Sequence, residues 1–282
     1  MEKIIDGKKL AKEIKDKIVK EIVKLKGERP NLAIILVGER ADSLVYVDRK
    51  IEEAKKVGID THLYKCSANI EEREIFELIN YLNYDVLVDA IIVQLPLLKG
   101  FDTDGIILAL NPEKDADCFH PKNVEAVIKD YKSLKVVSPV FASIFYILKD
   151  INFNLQNKSI CVISNSKIFG HSLASAFKQG GAKVENIRPD DKQLAKKTKQ
   201  ADILISVAGK KKFIKKDMVK KDAVVIDVGI TKEGKKIYGD IDFAGVKDKA
   251  SFITPVPGGV GPMTIAMLFK NTLELYKKRR GK

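Results

Sequence analysis

The sequence is poor in cysteine. Cys66, Cys118 and Cys161 stand far apart in 282 residues and without paired spacing, which argues against a disulfide framework and offers no zinc pattern. No metal site is expected. Long apolar runs are also lacking, and the longest falls far short of the roughly 20 residues that cross a bilayer. The first residues, "MEKIIDGKKLAKEIKDKIVKEIVKLK", contain no signal-peptide core and instead alternate charge with apolar residues at helical spacing. A reducing cytoplasm is the expected location. No internal repeat or low-complexity segment stands out. A basic stripe interleaved with aromatics is missing too, although the net charge is +13. Only "KQLAKKTKQ", "GKKKFIKKDMVKK" and "YKKRRGK" are dense in lysine or arginine. The charge therefore reads as a solvated surface with a general pull on anionic small molecules, and neither a nucleic acid nor a membrane is expected as partner.

What is present is an ordinary globular composition, 45% apolar and 32% charged, on a chain long enough for two modest cores. Apolar residues at 10, 14, 18, 22 and 25 mark a first helix, ended by Gly27 and Pro30. Strands and helices then alternate. "LAIILV" is a strand, 42–57 a helix closed by Gly58, "IDTHLYKC" a strand, 70–83 a helix and "VDAIIVQLP" a strand. Helical stretches follow near 103–110, 122–130 and 138–150. The pattern restarts with "SICVIS", a helix over 169–179, "AKVENI", a helix over 191–200, then the strands "ADILISVAG" and "DAVVIDVG". A last helix runs from Pro262 to about Lys278. Short apolar runs alternating with amphipathic helices predict parallel sheets covered on both faces, here two α/β domains. The expected division is 1–137 plus 262–282 for the first domain and 138–261, Rossmann-like, for the second.

Ligands of open α/β sheets bind beyond the carboxyl ends of strands, and several unusual stretches fall there. Tyr46 and Lys50 in "SLVYVDRK" share one helix face. Exposed, they mean nothing; lining a pocket, they are an amine of tunable pKa beside a phenol. "VQLPLL" puts Gln94 where a buried strand stops, either to cap a loop or to meet a ligand. "PEKDADCFHPKN" crowds Asp115, Asp117 and His120 into a loop of the kind that usually makes turns. "SNSKIFGHS" enters a helix after the strand "ICVI", where a dinucleotide pyrophosphate would meet free backbone amides. In "ITPVPGGVGPMT", two prolines fix φ while Gly258, Gly259 and Gly261 permit close approach, and Pro262 suits a helix start. That much stiff backbone favours a ligand platform over a simple turn.

"YVDRK", "VQLPL", "PEKDADCFHPKN", "ADILISVAGKKKFIKKDMVKKDAVVIDVGI" and "ITPVPGGVGPMTIAMLFKNT" occur in an order and spacing that closely resemble the bifunctional methylenetetrahydrofolate dehydrogenase/methenyltetrahydrofolate cyclohydrolases. The likeness covers essentially the whole chain. It implies hydride transfer from 5,10-methylenetetrahydrofolate to NADP, or NAD in some members, and then hydrolysis of the methenyl product to 10-formyltetrahydrofolate. It also implies a homodimer with folate held between the domains. By position, Lys50 matches the catalytic lysine, Tyr46 its partner, Gln94 the glutamine that contacts it and Asp117 the aspartate that grips the pterin. Leu95, Pro96, Pro257, Gly258, Gly259 and Gly261 join the folate set. Ser164, Asn165, Ser166, Gly170, Arg188, Ala208, Gly209, Gly229, Ile230 and Thr264 form the implied cofactor set.

Physical chemistry suits these roles. Free lysine ionises near pH ~10.4, so a proton-transfer lysine must be destabilised as a cation, and a shift of about three units is worth about 4 kcal/mol. Gln94 accepts from the amine without a charge that would raise its pKa, and Asp117 suits the neighbouring N–H donors of a pterin edge.

The chain departs from the family pattern on the nucleotide side. The usual Gly-x-Ser-x-x-x-Gly-x-Pro turn becomes Ser164, Ser166, Gly170 and Ser172. "PCTP" becomes "VVSP", Phe141 replaces a glycine two residues later, and Cys118 replaces a glycine in "KDADCF". Asp190 and Asp191 favour a ribose diol, whereas Arg188 favours a 2′-phosphate. The alternative is a cyclohydrolase whose degenerate nucleotide site is filled by Phe141 and Phe169. A generic dehydrogenase would leave "VQLPL" and "YVDRK" unexplained.

Overall fold

The computed structural model describes residues 3–234 and 236–281, apart from the side chain of Asp42. The first half of the chain contains α1 (Gly7–Val23), β1 (Asn31–Val37), α2 (Ala41–Val57), β2 (Asp60–Cys66), α3 (Glu72–Tyr84) and β3 (Ala90–Val93). Three helices lead onward: α4 (Thr103–Ala109), α5 (Pro121–Asp130) and α6 (Pro139–Asp150). The second half begins with β4 (Ser159–Ser164), α7 (Lys167–Gln179), β5 (Lys183–Ile187), α8 (Leu194–Thr198), β6 (Ile203–Val207) and β7 (Val224–Asp227). It closes with β8 (Thr231–Glu233), β9 (Lys236–Tyr238), α9 (Phe243–Val246), β10 (Phe252–Ile253) and α10 (Val260–Arg280).

The α/β class and mostly parallel sheets expected from the alternating pattern are what form. One sheet has the order β2-β1-β3, all parallel, with Leu32–Val37 of β1 wholly buried. Its core gathers Ile35, Ile75, Ile79, Leu82, Ile91 and Ile106. The other sheet has the order β10-β7-β6-β4-β5, also all parallel, while β8 and β9 form an antiparallel hairpin. Strand order reverses at β4, whose neighbours are β5 on one side and β6 on the other. A dinucleotide is expected at such a reversal.

The chain divides into two compact units, a three-stranded one (12–125, 135–139 and from 265 on) and a five-stranded one (up to 11, 126–134 and 140–264). Residues up to 11 and 126–134 thus group with the five-stranded unit, and hydrogen bonds explain why. Ile5 N–H donates to Ile253 O and Ile253 N–H to Lys3 O, adding a bridge at the β10 edge. The Gln179 side chain ties Val127 O, Ile128 O and Tyr131 N–H to α7.

Some elements differ in extent from the sequence expectation. The third strand stops at Val93, before Pro96, which has no N–H for the ladder. In place of a helix over 191–200 there is only α8, because the Asp191 carboxylate takes the Gln193 N–H and the Lys197 ammonium and holds 191–193 in a turn. The last helix starts at Val260, with Pro262 inside its first turn, where a missing N–H costs nothing. Among the described residues no helix is long and apolar enough to cross a membrane.

Candidate active site

Lys50 lies on α2, which leaves the carboxyl end of the central strand β1, and its side chain turns inward. Only 6% of the residue is exposed. Its Nζ donates to Gln94 Oε1 at 3.0 Å and stands 4.9 Å from the centre of the Tyr46 ring one turn earlier. The sequence spacing places Tyr46 and Lys50 on one face, where Lys50 is buried and Tyr46 half-buried. Gln94 sits one residue past β3, where its N–H still donates to Ile35 O at 2.8 Å. Its side-chain N–H donates to Leu95 O at 2.8 Å, which leaves Oε1 aimed at the amine. The Leu95–Pro96 bond that follows is cis.

Asp117 comes to the same place by a different route. The chain after α4 runs alongside β3: Ile91 N–H donates to Lys114 O and Ala116 N–H to Ile91 O. Asp115 then organises the loop. Its Oδ2 accepts from His120 N–H at 2.8 Å and from the Asn123 amide at 3.0 Å, while His120 Nδ1 accepts from Lys122 N–H. Asp115 and His120 therefore act through the loop they shape. Cys118 holds a left-handed backbone (φ 57°), which explains why a glycine suits this position.

The electrostatics follow from burial. Desolvation lowers the pKa of Lys50, and the nearby Asp117 carboxylate opposes part of that shift. The Asp117 carboxyl is pushed up to about 6 by desolvation, against the pull of Lys50 and with a push from Asp115. Burial, together with Asp115 and Asp117, raises the Cys118 thiol well above its ordinary range, so it is no nucleophile. A buried amine below its usual pKa, hydrogen-bonded to a neutral acceptor, gives up its proton more readily than a free lysine. Among the described residues no cluster of metal-ligating side chains exists.

The remaining expected residues lie on the five-stranded unit. Ser166 caps α7, its hydroxyl accepting from Phe169 N–H at 3.2 Å, and Ser164 Oγ accepts from Ser166 N–H at 3.1 Å. The serines thus hold the turn that the family pattern gives to glycine. Asn165 Nδ2 donates to Ala208 O, and Arg188 donates to Asn165 O and to Asp190, so the ends of β4, β5 and β6 are linked. The α7 N-terminus follows the carboxyl end of β4, beside the linked ends of β5 and β6, the place where such a sheet takes a dinucleotide. Phe141 is buried and packs edge-on to Phe169, ring centres 4.9 Å apart. Pro257, Gly258 (φ 109°) and Gly259 form the turn before α10, in which Gly259 N–H donates to Pro255 O. Gly261 O accepts from the Thr264 hydroxyl inside the helix. Sequence reading passed over Asp227 and Asp240, although an aspartate within "VVIDVG" and another directly after a glycine in "YGDID" were visible signals.

Comparison with known proteins gives the family. A family model described as tetrahydrofolate dehydrogenase/cyclohydrolase, catalytic domain, matches residues 5–117, and its NAD(P)-binding counterpart matches 139–280. The bifunctional protein FolD of Mycoplasma mycoides is 43% identical, over 97% of this chain and 96% of its own length. A crystal structure of the bifunctional FolD dehydrogenase/cyclohydrolase from Campylobacter jejuni superposes with a TM-score of 0.93 at 39% identity, covering 98% of this chain and 99% of that one. The Trypanosoma brucei enzyme, described as complexed with NADP cofactor and inhibitor, gives a TM-score of 0.93 at 31% identity and covers 98% and 97%. With both domain models matched in order over most of its length, the chain belongs to the tetrahydrofolate dehydrogenase/cyclohydrolase family.

Proposed function

We propose that Lys50 carries the proton in the second of this family's two reactions: oxidation of 5,10-methylenetetrahydrofolate to the methenyl cation moves a hydride and no proton, and hydrolysis of that cation to 10-formyltetrahydrofolate needs a proton carrier. The observation that carries this reading is the 3.0 Å bond from the buried Lys50 amine to Gln94 Oε1. In the hydrolysis, neutral Lys50 takes a proton from water as the water oxygen bonds to the methenyl carbon. The ammonium then gives that proton to N5 as the C–N5 bond opens, and the carbinolamine hydroxyl releases its own proton to solvent as the formyl C=O forms. Gln94 orients the amine without adding charge, and Tyr46 covers it and lies against the pterin. Asp117 receives the pterin N–H groups, with Leu95, Pro96, Pro257, Gly258, Gly259 and Gly261 as further folate contacts.

NADP, when bound, supplies the hydride acceptor of the first reaction. Ser164, Asn165, Ser166 and Gly170 would hold its pyrophosphate, and Ala208, Gly209, Gly229, Ile230 and Thr264 would meet the rest. The Arg188 guanidinium uses Nε on Asp190 and Nη1 on Asn165 O, two of its five donors, so a 2′-phosphate has donors to meet. We further place the enzyme in the cytoplasm, consistent with three buried free thiols, and assemble it as a homodimer, for which the open edge of β5 is available.

Lys50→Met is the direct test. Methenyl hydrolysis should vanish while NADP binding and the melting temperature stay unchanged. Hydrolysis at the parent rate would remove Lys50 from the mechanism.

A further inference from the structure

The five-stranded unit encloses two carboxylates that the reaction chemistry does not use. Asp227 ends β7 and Asp240 follows β9; they are 3% and 0% exposed. Asp240 Oδ2 accepts from the Ser206 hydroxyl and from Ala208 N–H, and its Oδ1 accepts from Lys210 N–H, each at 2.7 Å. Asp227 Oδ1 accepts from the N–H groups of Gly229 and Asp240 at 3.0 Å, and its Oδ2 from Ile241 N–H at 2.9 Å. All six donors are uncharged. Asp227 N–H donates in turn to Thr254 Oγ1 at 2.7 Å.

The fit is close enough to dictate neighbouring residues. A methyl on Gly229 would lie 2.0 Å from Asp240 Cγ, and one on Gly239 would lie 2.0 Å from Asp227 Oδ2. Each glycine is therefore required by a carboxylate occupying the space of its side chain. Burying a charge is costly, and a neutral turn would close the same loops without that cost. Burial pushes the Asp227 carboxyl up to about 7, against its three N–H donors; what an ionised carboxylate adds is bonds roughly twice as strong as neutral ones, directed at chosen N–H groups. Two N–H groups on one carboxylate oxygen pair, with Gly209 between them at φ 65°, pin the turn after β6. The Gly229 bond pins the turn after β7.

We propose that Asp240, itself oriented by Asp227, is a positioning residue for the dinucleotide: the two carboxylates preset the backbone turns at Ala208–Lys210 and Val228–Ile230 so that they meet the cofactor without rearranging. The proposal depends on the reading of Ala208, Gly209, Gly229 and Ile230 as cofactor residues. The competing possibility is a staple that only holds β6 and β7 to the chain after β9.

The full-length enzyme offers an internal control, because hydrolysis of supplied methenyl substrate consumes no dinucleotide. Asp240→Asn replaces one acceptor by an amide donor facing a backbone N–H. The Kd and KM for NADP should rise at least about tenfold, as loss of a charge-assisted hydrogen bond allows, with dehydrogenase kcat within about threefold and hydrolysis unchanged. A folded Asp240→Asn enzyme with parental NADP affinity overturns the proposal, and so does an equal loss of both reactions alongside a lower melting temperature. Should that variant fail to fold, Ser206→Ala decides. It removes the hydroxyl that fixes the Asp240 carboxylate on the same oxygen as the Ala208 N–H and so loosens the hold on the turn; an NADP KM raised by about threefold with unchanged hydrolysis supports positioning, and an unchanged KM refutes it. Failure of the underlying cofactor reading would look different, since the parent enzyme would then not bind NADP at all.

Discussion

Gln94→Glu changes almost nothing in shape and adds one charge at the most sensitive point of the site. The acceptor stands 3.0 Å from the Lys50 amine. Two unit charges at that separation attract by about 5 kcal/mol at an effective dielectric of about 20. Desolvation of the new carboxylate takes back part of this, leaving about 3 kcal/mol, or roughly two pKa units on Lys50. The sign is upward, against the downward push that burial gives the native amine. At pH 7 the neutral fraction of Lys50 should fall, by up to about 100-fold, and methenyl hydrolysis with it. The assay follows disappearance of the methenyl chromophore across pH, with NADP binding and thermal unfolding as controls. The lost rate should return as pH is raised and the amine deprotonates. A folded variant with the parental rate and an unshifted pH profile would refute the idea that a neutral Lys50 is the working form.

Asp117 should show a conflict between function and stability. Its folded-state carboxyl is raised to about 6, above an unfolded value near ~3.9, so its contribution is intact below pH ~4 and is lost as pH rises through ~6. Asp117→Asn should therefore stabilise the protein at pH 7 by about 2 kcal/mol, discounted for partial exposure, and by nothing near pH ~3. Urea unfolding at the two pH values checks this, and an equal gain at both would contradict it. Asp117→Ala should weaken folate binding more than NADP binding, as titrations of each ligand would show; equal losses would count against a pterin contact. At position 118, where the backbone is left-handed, Cys118→Gly should be more stable than Cys118→Ala by about 1 kcal/mol, because both lose the thiol and only glycine sheds the strain. Denaturant midpoints of the two variants in the reverse order would exclude that explanation.

The alternating α/β pattern could be read directly because β1, β3, β4 and β6 are buried on both faces and so are written as continuous apolar runs. The β8–β9 hairpin, in "TKEGKKIYG", has exposed strands of charged residues, and β10 has two residues, so neither carries a periodic signal. The tether of residues 3–5 to β10 is a backbone contact, invisible in any local pattern. Asp227 and Asp240 escaped notice because a lone aspartate near a strand end reads as a turn former until its three donors are seen.

The sequence by itself determined the class of fold, the order of the elements, the helical face shared by Tyr46 and Lys50, and the motifs that mark the family, since all of these depend on local periodicity or residue order. Only the tertiary structure decided that Lys50 is buried, that Gln94 offers its oxygen and not its amide nitrogen, and that Asp115 shapes the loop presenting Asp117. Those outcomes arise from β3 pairing beside β1 and the Lys114–Ala116 segment pairing beside β3. Desolvation sets the chemistry of an amine, and desolvation belongs to the packed molecule rather than to any stretch of its chain.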